Sequence, residues 1–188
     1  MIIAHYLIPA LWIAWLLYWW ATAYAVKKTQ WREPSGQAFA YRVPFIVAVI
    51  LLLGGVRGVP WLNARWIAPS DMISWIAILS VLLGLAFAIR ARRYLGPNWS
   101  ADVTVKVDHA LVRTGPYRFV RHPIYSGLIL AIAGSALEVG EWRAVIAIVL
   151  AIISLKYKSL LEEQKMRETF VEYDEYRRTT AALIPFVL

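Results

Sequence analysis

The stretch IIAHYLIPALWIAWLLYWWATAYAV, residues 2–26, decides the class of fold. It contains no Asp, Glu, Lys or Arg. About 20 consecutive apolar residues cross the hydrocarbon core of a bilayer as a helix, so the stretch predicts a membrane span. The basic pair Lys27 and Lys28 follows the apolar run, whereas a secretory signal peptide carries its positive charge before the run. We therefore expect a membrane helix that is retained rather than a cleaved leader.

Four further apolar segments predict an all-α integral membrane protein with about five transmembrane helices. The spans are expected at residues 3–25, 43–59, 71–89, 123–138 and 142–157. The chain has 188 residues, of which 60% are hydrophobic, and a soluble domain is usually only about half apolar. Only residues 139–141 separate the last two spans, which predicts a tight C-terminal helical hairpin.

The chain has a net charge of +8, and the distribution of its basic residues indicates an orientation in the membrane rather than binding to nucleic acid. With the N-terminus outside, only Arg57, Arg65 and Arg143 lie outside, and the other 17 of the 20 Lys and Arg residues lie inside. This bias predicts an N-out, C-in protein that contacts anionic membrane lipids on its cytoplasmic side. The chain has no Cys, which excludes disulfides, thiolate metal sites and Cys nucleophiles.

The first motif with candidate chemistry is HALVRTGPYRFVRHPIYSG, residues 109–127, directly before the fourth span. Pro123 suits the first turn of a helix, where its missing N–H is not needed. His122 then lies at a helix N-terminus, whose free N–H groups and dipole attract a carboxylate or phosphate. Taken singly, the residues also fit plainer roles, with Arg121 as an interface anchor, His122 as a polar cap and Tyr125 in an aromatic belt.

The second motif is the pair Glu162 and Glu163, in the segment KSLLEEQKMRETFVEYDEYRR, which predicts an amphipathic helix continuing from the fifth span. Lys158 precedes Glu162 by four residues and shares its helix face. Adjacent positions point to different faces, so the two carboxylates are expected in different environments. The plainer interpretation is a solvated helix with an incidental ion pair.

Together the motifs resemble the isoprenylcysteine carboxyl methyltransferases and the related phospholipid N-methyltransferases. The shared pattern is G-x-Y-x-x-x-R-H-P-x-Y-x-G, a hydrophobic hairpin, and then E-E-x-x-hydrophobic-x-x-x-F. The matching positions are Gly115, Tyr117, Arg121, His122, Pro123, Tyr125, Gly127, Glu162, Glu163, Met166 and Phe170. The resemblance covers roughly residues 94–188, for which it implies a cofactor-binding methyltransferase core, and residues 1–93 are expected to form the N-terminal membrane helices.

The resemblance also implies S-adenosylmethionine as the cofactor, bound at the cytoplasmic boundary. The implied cofactor-binding residues are Thr104, His109, Ala110, Leu111, Val112, Tyr117, His122, Pro123, Ile124, Tyr125 and Glu162. The position of the family's substrate-contacting Arg is occupied here by Lys158, which is therefore the catalytic candidate. Lysine keeps the positive charge but lacks the guanidinium that binds a carboxylate through two hydrogen bonds. No metal is expected, because no His, Asp or Glu cluster has ligand spacing.

The implied activity is closest to protein-S-isoprenylcysteine O-methyltransferase, with a lipophilic acceptor arriving from the bilayer and no required protein partner. Methylation of a phospholipid headgroup amine or of a thiol is an alternative. An NADPH-dependent sterol reductase is less favoured, since no pocket for a 2′-phosphate is evident. A small transporter or scaffold is the non-enzyme alternative, and its mark would be an ionisable residue deep within a span. The chain lacks a Gly-rich dinucleotide fingerprint, so it is not a doubly wound methyltransferase.

Overall fold

The computed structural model describes residues 2–24, 26–56 and 58–184. The helices are α1 (Ile2–Thr22), α2 (Ser35–Leu53), α3 (Asp71–Leu95), α4 (Pro123–Val139), α5 (Trp142–Thr169) and α6 (Tyr173–Thr179), and the strands are β1 (Thr29–Arg32) and β2 (Thr104–Lys106). Two residues of the sequence-based predictions lie outside the described residues, namely Arg57, which is expected on the outer side, and Pro185, which is expected to end the ordered chain near the C-terminus.

The helices confirm the predicted all-α membrane architecture. Within the described residues, four segments are long and apolar enough to cross a membrane, namely α1, α2, Asp71–Asn98 (which is α3 with a short 3-10 extension) and α5. The fourth predicted span, α4, has 17 residues and is therefore about 26 Å long, slightly less than the roughly 30 Å of a bilayer core. The protein is thus a multi-pass membrane protein.

Three helices, α2, α3 and α5, extend beyond the spans that hydropathy predicts, and α3 does so by continuing past residue 89 to Leu95. The second span is expected from residue 43, but α2 begins at Ser35. Its first two turns bury Ala38 and Tyr41 against Val103, so packing within the protein, rather than lipid, supports them. Similarly, α5 continues past residue 157 to Thr169, and its polar half forms part of the site described below.

The closest helix packing joins α3 to α4. A Cβ atom added to Gly84 would lie 2.5 Å from the carbonyl oxygen of Gly127, and one added to Gly127 would lie 2.5 Å from the carbonyl oxygen of Gly84. Small residues allow such close backbone approach between membrane helices. α1 also packs on α3, and α2 packs on α5, so the N-terminal helices and the C-terminal core form one bundle.

The predicted tight hairpin between α4 and α5 is present. Gly140 ends α4 with a φ of 65°, a left-handed conformation that favours glycine. The guanidinium of Arg143 donates to the backbone carbonyls of Leu51, Leu52 and Gly54 at the end of α2. This end of the bundle therefore holds two of the three basic residues that were assigned to the outside, Arg65 and Arg143.

The opposite end carries the irregular structure. The alternating stretch ADVTVKVDHALV, residues 101–112, predicts a short strand or hairpin, and its β2 pairs antiparallel with β1. The predicted C-terminal amphipathic helix is interrupted, because α5 ends at Thr169 and α6 begins at Tyr173. After α6 the chain runs beside the start of α4, where the backbone N–H groups of Arg121 and His122 donate to the carbonyls of Ala181 and Ala182.

Candidate active site

A cavity of about 430 Å³ lies at this irregular end of the bundle. Its size falls in the range of about 300–1,000 Å³ that is usual for small-molecule sites. Of the residues implied by the family resemblance, it is lined by Thr104, His109, Ala110, Leu111, Val112, Tyr117, His122, Ile124, Tyr125, Lys158 and Glu162. Pro123 does not line the cavity, because it is fully buried in the first turn of α4. One cavity thus brings together both motifs and the segment before them.

Glu162 is the acidic residue of the second motif that faces the cavity. Its Oε1 accepts a hydrogen bond from the Tyr125 hydroxyl at 2.5 Å, and its Oε2 lies 3.3 Å from His122 Nδ1. Lys158 Nζ lies 3.8 Å from Oε1. A carboxylate with these neighbours presents a fixed negative charge to the cavity.

Glu163 points away from the cavity into a buried ion cluster. Its Oε1 accepts from Arg121 Nε at 2.9 Å, and its Oε2 lies 3.3 Å from Arg177 Nε. Arg121 also donates to the backbone carbonyls of Arg177 and Thr180, so it holds the chain after α6 against the start of α4. Arg121 is therefore a buried structural link rather than an exposed interface anchor.

His122 joins the two carboxylates. Its Nε2 lies 3.1 Å from Glu163 Oε1, and its Nδ1 faces Glu162. Burial disfavours the charged ring, but the hydrogen bonds to Glu162 and Glu163 outweigh burial and raise the pKa of His122 above its ordinary value. Carboxylates only accept hydrogen bonds, so an imidazolium satisfies both contacts whereas a neutral ring satisfies one.

The segment 109–112 forms a further part of the cavity wall. Burial, together with the nearby Lys27 and Lys106, lowers the pKa of His109. His109 Nδ1 accepts from the Lys106 backbone N–H at 3.2 Å, which places the proton of the neutral ring on Nε2. Within the described part of the chain, the buried hydroxyl of Thr104 has no hydrogen-bond partner. Because Thr104 lines the cavity, a polar ligand group could supply one.

Lys158 is buried near the cavity and its ammonium already has protein partners. Nζ donates to the carbonyl of Ala101 at 2.6 Å. It also lies 5.3 Å from the centre of the Tyr41 ring and 5.5 Å from that of the Tyr125 ring. The catalytic candidate therefore holds the loop before β2 against α5.

The N-terminal helices supply lining residues that the sequence analysis did not assign to the site. Trp15 and Trp19 of α1 and Tyr41 and Phe45 of α2 form an apolar wall, which Trp99 extends. The Trp15 and Trp19 rings stack with their centres 4.5 Å apart. The aromatic richness of these helices was visible in the sequence, but it is equally typical of an interfacial belt, so position alone did not reveal the wall.

Fold and site define a multi-pass helical membrane protein with a cavity at one end of its bundle, whose lining combines a few charged and hydroxyl groups with a large apolar wall. The chain belongs to the isoprenylcysteine carboxyl methyltransferase (ICMT) family, whose model matches residues 75–168. The resemblance seen in the two motifs is thus confirmed. The matched region begins within α3 and ends before α6.

Relatives carry names of two kinds. The cobalt-zinc-cadmium resistance protein CzcN of Cupriavidus metallidurans is 30% identical over 115 residues, 60% of this chain and 52% of that protein. The nickel-cobalt-cadmium resistance protein NccN of Alcaligenes xylosoxydans is 28% identical, over 74% of this chain and 62% of that protein. The protein-S-isoprenylcysteine O-methyltransferase of Schizosaccharomyces pombe is 26% identical, over 79% of this chain and 68% of that protein. The chain spans less than two thirds of the length of the first two relatives.

Proposed function

We propose that the protein is an S-adenosylmethionine-dependent methyltransferase that methylates a carboxylate on a lipid-like acceptor, the chemistry of a protein-S-isoprenylcysteine O-methyltransferase. The observation that carries the proposal is the single cavity that joins Glu162, the start of α4 and segment 109–112 to an apolar wall from α1 and α2. Such a cavity suits a polar ligand and an apolar ligand side by side.

The residues present fit the cofactor. Glu162 would pair with its amino group or ribose, and the N-terminus of α4 at His122 would meet its carboxylate. The backbone of residues 109–112 would flank the adenine edge. Trp15 Nε1 and Thr104 Oγ1 are buried without hydrogen-bond partners among the described residues, and both line the cavity, as expected for a site that a polar ligand completes.

Methyl transfer requires mainly that the protein align the acceptor atom with the methyl group and the sulfur of the cofactor. When bound, S-adenosylmethionine supplies a methyl group that an acceptor oxygen takes up in an in-line displacement, leaving the electron pair of the broken carbon–sulfur bond on sulfur. An acceptor carboxylate is already ionised at neutral pH, so the protein need not supply a general base. Its contribution is to hold the two ligands in register and to exclude water with the aromatic wall. Lys158 would orient the acceptor from beside Glu162.

The same proposal includes the orientation of the protein in the membrane and the routes by which the two ligands enter the cavity. The cavity end would face the cytoplasm, with the N-terminus outside and the C-terminus inside, in keeping with the distribution of basic residues. The cofactor would enter from water and the acceptor from the bilayer. The polar groups of the site would face the cofactor and water rather than lipid tails.

Purified protein tests the proposal directly. We expect S-adenosylhomocysteine to bind, with or without EDTA, and labelled methyl groups from S-adenosylmethionine to appear on N-acetyl-S-farnesylcysteine. Phosphatidylethanolamine and a small thiol serve as the comparison acceptors. Failure to bind S-adenosylhomocysteine would overturn the cofactor assignment, and transfer to the amine or thiol alone would overturn the acceptor assignment.

A further inference from the structure

Cationic side chains that line the cavity differ in how freely they can meet a ligand. Arg121 is committed to Glu163 and to two backbone carbonyls, and its side chain is 8% exposed. Lys158 donates to Ala101 and is 11% exposed. Arg42 also lines the cavity, and its side chain is 51% exposed. Arg42 is therefore the most accessible of these three cations.

Arg42 has a partner that orients it without occupying its whole guanidinium. Its Nη2 donates to Asp102, while Nη1 and Nε take no part in that bond. Asp102 also lies 3.6 Å from Arg32 Nη1, so two guanidiniums share one carboxylate and a net positive charge remains. A guanidinium that is bound to one carboxylate on one side and is open on the other side can bind a second planar anion, such as a carboxylate.

The position of Arg42 matches the head of an apolar ligand. Tyr41 precedes it, and Phe45 and Ile46 follow one turn later on α2, where all of them line the cavity. The loop that carries Asp102 is also held by Lys158, through the carbonyl of the adjacent Ala101. A ligand with its tail along the aromatic wall would bring its polar head toward Arg42 and Lys158.

We propose that Arg42 is a specificity-determining residue that binds the carboxylate of the acceptor, and that it provides the guanidinium fork that Lys158 lacks. The inference rests on the proposed methyl transfer to a carboxylate and adds the residue that selects it. Arg42 lies on α2, outside the segment that the family model matches, whereas His122, Lys158 and Glu162 lie inside it.

The test compares two ligands that differ only in charge. Binding of N-acetyl-S-farnesylcysteine and of its carboxamide is measured on protein saturated with S-adenosylhomocysteine, by quenching of Trp fluorescence. Wild-type protein is expected to prefer the acid, and Arg42→Ala should lose about 10- to 100-fold of that preference, as for one charged hydrogen bond. Arg42→Lys should keep part of the preference. KM for the acid should rise in Arg42→Ala while the affinity for S-adenosylhomocysteine stays unchanged.

The matched control is Arg32→Ala, because Arg32 also pairs with Asp102 but does not line the cavity. It should keep the preference for the acid. Equal affinity of wild-type protein for acid and carboxamide, or an undiminished preference in Arg42→Ala, would overturn the inference while leaving cofactor binding intact. If Arg42→Ala does not fold, Arg42→Gln and the wild-type comparison of the two ligands decide the same question. Failure of S-adenosylhomocysteine to bind wild-type protein would instead count against the proposed function itself.

Discussion

Glu162 and Glu163 are adjacent in the chain, but their carboxylates have different surroundings. Successive helical side chains point about 100° apart, and the structure places one carboxylate at the cavity and the other among Arg121, His122 and Arg177. The different environments of the two residues were predictable from helix geometry. The partners of Glu163 were not, because they come from about 40 positions earlier and from the chain beyond α5.

Substitution of the two acidic residues should therefore give two separable defects. We expect Glu162→Gln to lower the affinity for S-adenosylhomocysteine by about 10- to 100-fold, because a charged hydrogen bond contributes roughly 1.5–3 kcal/mol. Glu163→Gln should lower stability by about 3 kcal/mol, because it leaves the buried guanidinium of Arg121 without its counter-ion. Calorimetry and thermal unfolding in detergent measure the two effects. Equal, negligible effects of the two variants on affinity would remove Glu162 from the cofactor site.

Lys158 should affect turnover more than cofactor binding. Lys158→Ala removes the cation beside Glu162 and the bond to Ala101, so we expect kcat for an acidic acceptor to fall about 10-fold. The affinity for S-adenosylhomocysteine should change little. Lys158→Arg should retain much of the activity, since it keeps the charge and adds a fork. Steady-state kinetics normalised to cofactor-binding sites provide the measurement, and unchanged kcat in Lys158→Ala would favour an amine acceptor.

His122 should make stability depend on pH. Its folded pKa is raised by the hydrogen bonds to Glu162 and Glu163, which outweigh the opposing effect of burial. The stabilisation is therefore complete below the ordinary value of about 6.5 and is lost as pH rises through the higher folded value. His122→Asn should flatten the fall in Tm as pH rises above about 6.5. His5→Asn, on the exposed face of α1, is the control, and an identical fall in wild type and His122→Asn would contradict the assignment.

At the scale of elements, the close contact of α3 and α4 sets the position of the site. The first turn of α4 carries Tyr125 and follows His122, so a shift of α4 moves both of them relative to Glu162. Gly84→Ala would bring a Cβ to 2.5 Å from the Gly127 carbonyl oxygen, a contact that only backbone movement can relieve. We expect a loss of about 1–3 kcal/mol in stability, as for other overpacked positions, together with weaker binding of S-adenosylhomocysteine.

Gly36→Ala provides the matched control, because a Cβ there meets nothing within 4 Å. It also lies in a membrane-helix segment, and alanine is the better helix former, so it should be neutral or slightly stabilising. Thermal unfolding and calorimetry compare the two variants. Equal behaviour of Gly84→Ala and Gly36→Ala would show that the α3–α4 distance does not control the site.

The long apolar helices were predictable from sequence, and the short elements were not. Length and hydropathy were sufficient to predict α1, α3 and the α4–α5 hairpin. The reason is that lipid requires every span to be a helix that is long and apolar enough to cross the bilayer core. β1 has four residues, all exposed, and it pairs with a strand about 75 positions later, so no local pattern marks it. Arg121, which comes more than 50 positions earlier, likewise holds the end of α6 through the carbonyls of Arg177 and Thr180, so no local pattern marks the position of α6.

At the scale of the whole molecule, the two ends of the bundle differ in charge and in task. Arg65 and Arg143 lie at the end where α4 meets α5, and the cavity with its many basic neighbours lies at the other end. The sequence predicts that the cavity end is cytoplasmic. Under the proposed function, this arrangement would give the cofactor access from the cell interior.

The chain contains no Cys, so single cysteines can test this orientation without removing any native residue of the same type. Val171→Cys marks the cavity end at a fully exposed position between α5 and α6, and Ala68→Cys marks an exposed position at the opposite end. In intact cells, a membrane-impermeant maleimide should label Ala68→Cys and not Val171→Cys, because only the end with few basic residues is expected outside. Permeabilised cells should allow labelling of both. Labelling of Val171→Cys in intact cells would show that the orientation is the reverse of the predicted one. The cavity would then face the outside, where a cytoplasmic cofactor could not reach it.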